Sequence, residues 1–183
     1  MSQDKQFFTM LGISLIVVRN HEGKWLAINE TKNPGWWLPG GRVDPPEDFF
    51  TAAKRECKEE AGIDVELKGI LRIEHNVQGK GYIRLKVVFY AEPIEKEPKL
   101  KDKPDSESLE ARWVTGDELL ELDKKGVGWR GPELYNWATY IENKGVIWPL
   151  SILDEEGSDI KLSKIEDFDK KKAEGEKVEA ANE

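Results

Sequence analysis

The sequence predicts an α/β sandwich built on a mixed β-sheet and followed by a flexible, charged C-terminal tail. Three observations carry this reading. Short apolar runs rich in β-branched residues recur along the first part of the chain, as buried strands do. Between them lies a stretch whose apolar residues return every four positions, the stripe of an amphipathic helix. Some of the apolar runs are separated by tight turns, and no G-x-G-x-x-G follows a strand, so a purely parallel, doubly wound sheet is excluded.

The elements follow in order. Leu11 to Arg19 (LGISLIVVR) reads as a buried strand. His21-Glu22-Gly23 is a turn and Lys24 to Asn29 (KWLAIN) a second strand, which predicts a hairpin between the two. Lys32-Asn33-Pro34-Gly35 is loop chemistry, and Trp36-Trp37-Leu38 is a very short strand before Pro39-Gly40-Gly41. Pro45-Pro46 precedes a helix over Asp48 to Ala61, with Phe49, Ala53, Cys57 and Ala61 on its apolar stripe. Gly62 is free to take the left-handed conformation that ends a helix. Val65 to Glu74 and Tyr82 to Ala91 are two further strands, Glu92 to Ser106 is a polar loop, and Ala111 to Val114 is a short edge strand. Gly116 to Lys124 and Pro132 to Asn143 are helices, the second with Leu134, Trp137, Ala138 and Ile141 on one face. Val146 to Leu153 is apolar and closes a domain of residues 1–153. From Asp154 to the end, Asp, Glu, Lys and Gly dominate; such a segment buries little, hence the tail over 154–183.

Composition narrows the function. The chain has 183 residues, with 28 Lys and Arg against 36 Asp and Glu, a net charge of −8. Binding along a nucleic-acid duplex relies on neutralising phosphates and favours the opposite balance. One nucleotide, or one RNA end, stays open. A single Cys excludes an intrachain disulfide framework and a Cys-based zinc cluster. The longest apolar run, Ile13 to Val18, is too short to span a bilayer. The opening MSQDKQFF lacks the pattern of a secretory signal. The expectation is a soluble protein of the reducing cytoplasm, with the nucleus also open to it.

The chemistry concentrates in Arg55-Glu56-Cys57-Lys58-Glu59-Glu60. On a helix, Glu56 and Glu60 are i,i+4 neighbours and Glu56 and Glu59 are i,i+3 neighbours, so three carboxylates crowd one side. Like charges at that spacing repel by some tenths of a kcal/mol per pair. A hard divalent cation turns the repulsion into binding, because oxygen ligands are what Mg²⁺ takes, with Mn²⁺ as a substitute. Gly40-Gly41 lets the backbone come close to a ligand. Arg55 can pin the preceding loop to the helix through a bidentate pair with a carboxylate.

Gly41-x5-Glu47-x7-Arg55-Glu56-Cys57-x-Glu59-Glu60-x-Gly62-Ile63 resembles the Nudix box, the signature of the Nudix hydrolases. Seven specified residues, at a typical usage of about 6% each, match by chance on the order of 10⁻⁹ per start position. Cys57 departs from the family, which prefers an aliphatic residue there; its place on the apolar stripe makes it a small core residue rather than a nucleophile. The resemblance, over roughly residues 8 to 153, implies a Nudix-type α/β/α sandwich and hydrolysis of a nucleoside diphosphate linked to another moiety. It implies Mg²⁺ held by Glu56, Glu59 and Glu60 with the Gly41 carbonyl, a structural Glu47–Arg55 pair, and catalysis resting on Glu59, Glu60 and Arg55. A carboxylate must also take the proton of the attacking water: a box glutamate, or one from the loop before the late edge strand. Glu107, six residues before Trp113, occupies that loop position as a further metal ligand or as the base, with Glu110 as its rival.

The substrate is less sharply written. The Glu-Ser-Leu-x-Ala-x-Trp segment from Glu107 to Trp113 and the apolar Pro149-Leu150 end resemble Nudix members that hydrolyse oxidised-guanine nucleoside diphosphates. That implies a small nucleotide substrate, a nucleoside di- or triphosphate with an oxidised purine among the candidates. Removal of pyrophosphate from an RNA 5′ end, ADP-ribose or nucleotide-sugar hydrolysis, and a nucleotide-binding module without turnover stay open. So does the choice between monomer and homodimer; duplex nucleic acid and membrane are not expected partners. Purine recognition calls for an aromatic face and a carboxylate or amide on the base edge. Trp36 or Trp37, next to the box loop, is the candidate for the face. Arg42 and Arg84 are candidates for substrate phosphates, with Arg72 behind them. Most of the seven Trp residues are core, and His21 and His75 are surface residues.

Overall fold

A computed structural model describes residues 9–32, 35–78, 81–124 and 128–159. Among these residues seven strands form two sheets. Strands β1 (Thr9–Val18), β4 (Gly40–Arg42), β5 (Val65–Gln78) and β6 (Tyr82–Pro93) make a mixed sheet in the order β4-β1-β6-β5. Strands β2 (Trp25–Glu30), β3 (Trp36–Trp37) and β7 (Ser108–Val114) make an antiparallel sheet in the order β3-β2-β7. Only β1 and β6 run parallel, from Thr9 opposite Tyr82 to Val18 opposite Ala91. Three helices complete the fold: α1 (Phe49–Ala61), α2 (Gly116–Lys124) and α3 (Glu133–Glu142).

The layers follow from the alternation of side chains along β1. The Ser14 hydroxyl donates to the Phe49 carbonyl at 2.8 Å, so Ser14, Ile16 and Val18 face α1. Leu15 and Val17 point the other way, into a core shared with Leu119 of α2 and Leu134, Trp137 and Ala138 of α3. A strand apolar on both faces is thus covered on both, the condition for an α/β/α sandwich. The helix predicted over Asp48 to Ala61 is α1. Asp48 caps it, its carboxylate accepting from the Thr51 amide at 2.6 Å, and Gly62 ends it at φ 79°.

Three expectations are corrected. Strands β1 and β2 do not form a hairpin; they lie in different sheets and share only an isolated bridge, Arg19 to Trp25. Each is buried on both faces and takes the middle of its own sheet, so neither has an edge left for the other. Strand β5 runs to Gln78, four residues beyond the expected end, because its polar residues pair with β6 out to Tyr82. Gly40–Arg42, not anticipated as a strand, pairs with Ile13 to Leu15 of β1. Of the apolar stretch 146–153, the backbone bridges β5 at Ile70–Trp148 and turns once at Leu150–Ile152, while Val146, Trp148 and Ile152 stay exposed.

The chain divides into a unit of residues 1–152 and a second of residues 153–183. In the second, the Ser158 amide closes a turn on the Glu155 carbonyl at 3.1 Å. Residues 160–183, most of the expected tail, lie outside the described residues. Among the described residues no helix is long and apolar enough to cross a membrane.

Candidate active site

Helix α1 carries the five charged side chains of the predicted cluster, and Arg55 organises two of its glutamates. Its Nε and Nη2 grip both oxygens of Glu47 at 2.7 and 2.9 Å, the bidentate pair expected from the spacing. Its Nη1 donates to Glu56 at 2.8 Å and to Glu59 at 2.9 Å, and Nη2 also donates to the Arg42 carbonyl at 2.8 Å. The loop 42–47 is thereby fastened to the helix. Those bonds hold the Glu47 carboxyl below its ordinary range.

Glu56 and Glu60 are buried, whereas Glu59 is exposed. Gly41 lets the loop lie against the Glu56 carboxylate: a Cβ there would run into that carboxylate and force it to shift. The Gly40 amide donates to Glu60 at 3.0 Å. Burial pushes the Glu60 carboxyl up to about 9, and nearby Glu30 and Glu56 add to the rise against the pull of that amide and of Arg130. Glu56 is raised by burial as well, despite its bond to Arg55. These two carboxyls sit where negative charge is disfavoured until a cation arrives.

The loop ahead of β7 is tied to the end of α1. The Lys101 ammonium donates to the Glu59 carbonyl at 2.6 Å and to Asp105 at 2.7 Å; the Ser108 hydroxyl donates to the Glu60 carbonyl at 2.6 Å. Asp105 also accepts from the Glu107 and Ser108 amides, and the Lys101 bond, followed by these two, lowers its carboxyl to about 2. So placed, Glu107 lines the same cavity as the box glutamates. Its rival Glu110 sits on β7 and pairs with Arg112.

That cavity measures about 1040 Å³. One part is walled by Gly41, Arg55, Glu56, Glu59 and Glu60; Arg42, Arg84 and Lys86 also line it, as do Trp37 and Glu133. Neither the Arg42 nor the Arg84 side chain has a carboxylate partner among the described residues. Trp37 lies on the cavity wall, its ring under the Arg130 guanidinium at 4.1 Å and its Nε1 donating to Glu133 at 2.9 Å. Trp36 is corrected: it is 5% exposed and packs in the core, because neighbours on a strand face opposite sides. Cys57 is buried, and burial pushes its thiol up, the state of a core residue.

Sequence reasoning missed Glu30, Arg130, Glu133 and Lys86. Glu30 was the most findable, as the acid ending a fully buried strand. Arg130 forms an ion pair with it from 100 residues away, which no local spacing signals.

The NUDIX domain model matches residues 9–137. The chain belongs to the Nudix family. Among curated Nudix relatives, the human 8-oxo-dGDP phosphatase NUDT18 is 36% identical over 110 residues, covering 58% of this chain and 33% of that protein. A MutT-like protein of Streptomyces ambofaciens is 33% identical over 111 residues, covering 61% of this chain and 67% of its own. The chain spans about a third of the length of the NUDT18 relatives it matches. A solved NUDIX hydrolase from Nitrosomonas europaea superposes with a TM-score of 0.61 at 24% identity, covering 82% of this chain and all of its own, which shows the shared fold.

The fit of a divalent cation rests on the donor set. Among the described residues, no three acid, His or Cys side chains converge as a finished ligand cluster, since Glu56 and Glu59 each turn an oxygen to Arg55. The donors are nonetheless all hard oxygen, on one wall, and two of the three carboxyls are buried without enough positive charge. That is the environment a hard cation fits.

Proposed function

We propose that this chain is a Mg²⁺-dependent Nudix hydrolase that cleaves the diphosphate linkage of a nucleoside di- or triphosphate, with an oxidised purine nucleotide as the favoured substrate. The carrying observation is the placement of Glu56, Glu59 and Glu60 with Gly41 in one cavity that Arg42 and Arg84 also line, two cations with no carboxylate partner among the described residues. Acids gather a metal, and cations beside them suit a polyanion.

Glu56, Glu59, Glu60 and the Gly41 carbonyl would hold the cation, which when bound supplies positive charge to the phosphoryl oxygens. Arg55 keeps the glutamates in place. Arg42, Arg84 and Lys86 bind phosphate oxygens and orient the chain of phosphates. A water attacks phosphorus and the anhydride P–O bond breaks. The water's proton passes to a carboxylate, Glu107 or a box glutamate. Trp37 with Glu133 provides an aromatic surface beside a carboxylate, the pair that a purine ring and its N–H edge require. The name of the human relative supports this base class.

Glu59→Gln and Glu60→Gln are each expected to lower turnover by about three decades, roughly 4 kcal/mol of barrier, with an unchanged circular dichroism spectrum. A screen of nucleotides with Mg²⁺, scoring phosphate and pyrophosphate release separately, identifies the substrate. Near-wild-type turnover in both variants would overturn the proposal.

A further inference from the structure

A second, smaller cavity of about 510 Å³ lies on the β5–β6 ribbon. Arg72, Glu74, His75 and Asn76 of β5 line it, with Arg84 and Lys86 of β6. Arg84 and Lys86 also line the carboxylate cavity, so the two spaces share a wall. The register explains this. Arg42 of β4 lies opposite Ile13 of β1, Ile13 opposite Lys86 of β6, and Lys86 opposite Glu74 of β5, one row across the four-stranded sheet. In the neighbouring row Leu11, Arg84 and Asn76 align. From β4 to β5 is three interstrand steps, roughly 14 Å. That distance exceeds a diphosphate and matches a diphosphate carrying a nucleoside.

The charge of the groove is specific. In a chain of net −8, three of its lining side chains are Arg or Lys, with one carboxylate among them. Glu74 is shared between Lys86 at 3.0 Å and Arg72 at 3.8 Å. Arg84 is exposed, with no carboxylate partner among the described residues.

We propose that this groove binds a second anionic group of the substrate, a phosphate separated from the cleaved diphosphate by a nucleoside. Resting on the hydrolase reading, this narrows the substrate class to nucleotides phosphorylated at two places. Arg84 contacts both groups, and Arg72 and Asn76 contact only the distal one.

The test compares guanosine 5′-diphosphate with its 2′- and 3′-phosphorylated forms. Asn76→Ala removes a groove amide and Arg72→Gln removes a groove cation, and neither residue lines the carboxylate cavity. In the wild type, at least one doubly phosphorylated form is expected to have the higher kcat/KM. Each variant is expected to lower that value about tenfold and to leave the plain diphosphate within about twofold. Equal loss on all substrates, loss on none, or no preference in the wild type overturns the proposal. Calorimetric binding of the same ligands in chelator reads the preference without turnover. If the wild type hydrolyses none of them yet binds a doubly phosphorylated form more tightly, and Arg72→Gln abolishes the difference, the groove stands and the hydrolase reading falls.

Discussion

Arg55 is the residue on which the carboxylate wall depends, because five hydrogen bonds leave its guanidinium for three glutamates and a backbone carbonyl. Removing it leaves Glu56 buried without its cation and frees the loop 42–47. Arg55→Ala is expected to cost about 2–3 kcal/mol in urea denaturation. Arg55→Lys should recover less than half of that, since an ammonium cannot match both oxygens of Glu47. Full recovery by lysine would show that charge alone suffices. At this scale the site was legible in part. Glu47, Arg55, Glu56, Glu59 and Glu60 are linked by loop and helix spacings readable from order alone. Trp36 and Trp37 show the limit: alternation puts one inward and one toward the cavity, but only the pairing of β3 with β2 decides which. Glu30 closes a fully buried strand, a local sign of its role, but its pairing with Arg130 spans 100 residues and nothing local announced that.

Among the elements, the loop before β7 owes its shape to Asp105, which takes two backbone amides and the Lys101 ammonium. Those bonds lower its carboxyl to about 2 from an ordinary 3.8. A carboxyl depressed in the folded state stabilises the fold above its unfolded value, and the gain is lost as pH falls through the folded value. The urea midpoint of the wild type should therefore exceed that of Asp105→Asn by a constant margin from pH 7 to about 4, shrinking between about 4 and 2. A margin that widens on acidification would contradict the assignment. The presence of a loop glutamate was readable from its distance to Trp113; the choice of Glu107 over Glu110 was not, because it depends on where β7 begins. Strand existence was likewise readable from apolar runs, but the choice of partner was not. A β-branched run buried on both faces does not reveal which edges pair, which is why β1 and β2 looked like a hairpin.

For the whole molecule, the decisive feature is that β1 divides the interior into two packed layers. Ile16 lies on the side of α1, and Leu15 and Val17 lie on the side of α2 and α3. Both layers are needed to hold the box: α1 carries the glutamates, and the start of α3, with the residues before it, brings Glu133 and Arg130 to Trp37. If the layers are energetically separate, damage to one should not depend on damage to the other. Ile16 is fully buried and Leu134 nearly so, and truncating either to alanine is expected to cost about 2–5 kcal/mol. Because the two side chains lie on opposite faces of the strand, the double variant should equal the sum of the singles within about 0.5 kcal/mol. The readout should also divide by layer. Ile16→Ala loosens the bed of α1 and should lower kcat on every substrate. Leu134→Ala loosens the support of Glu133 and should raise KM according to the base, with kcat held closer to wild type. Strong coupling between the two substitutions, or the same kinetic signature from both, would mean that metal end and base end are not separately supported.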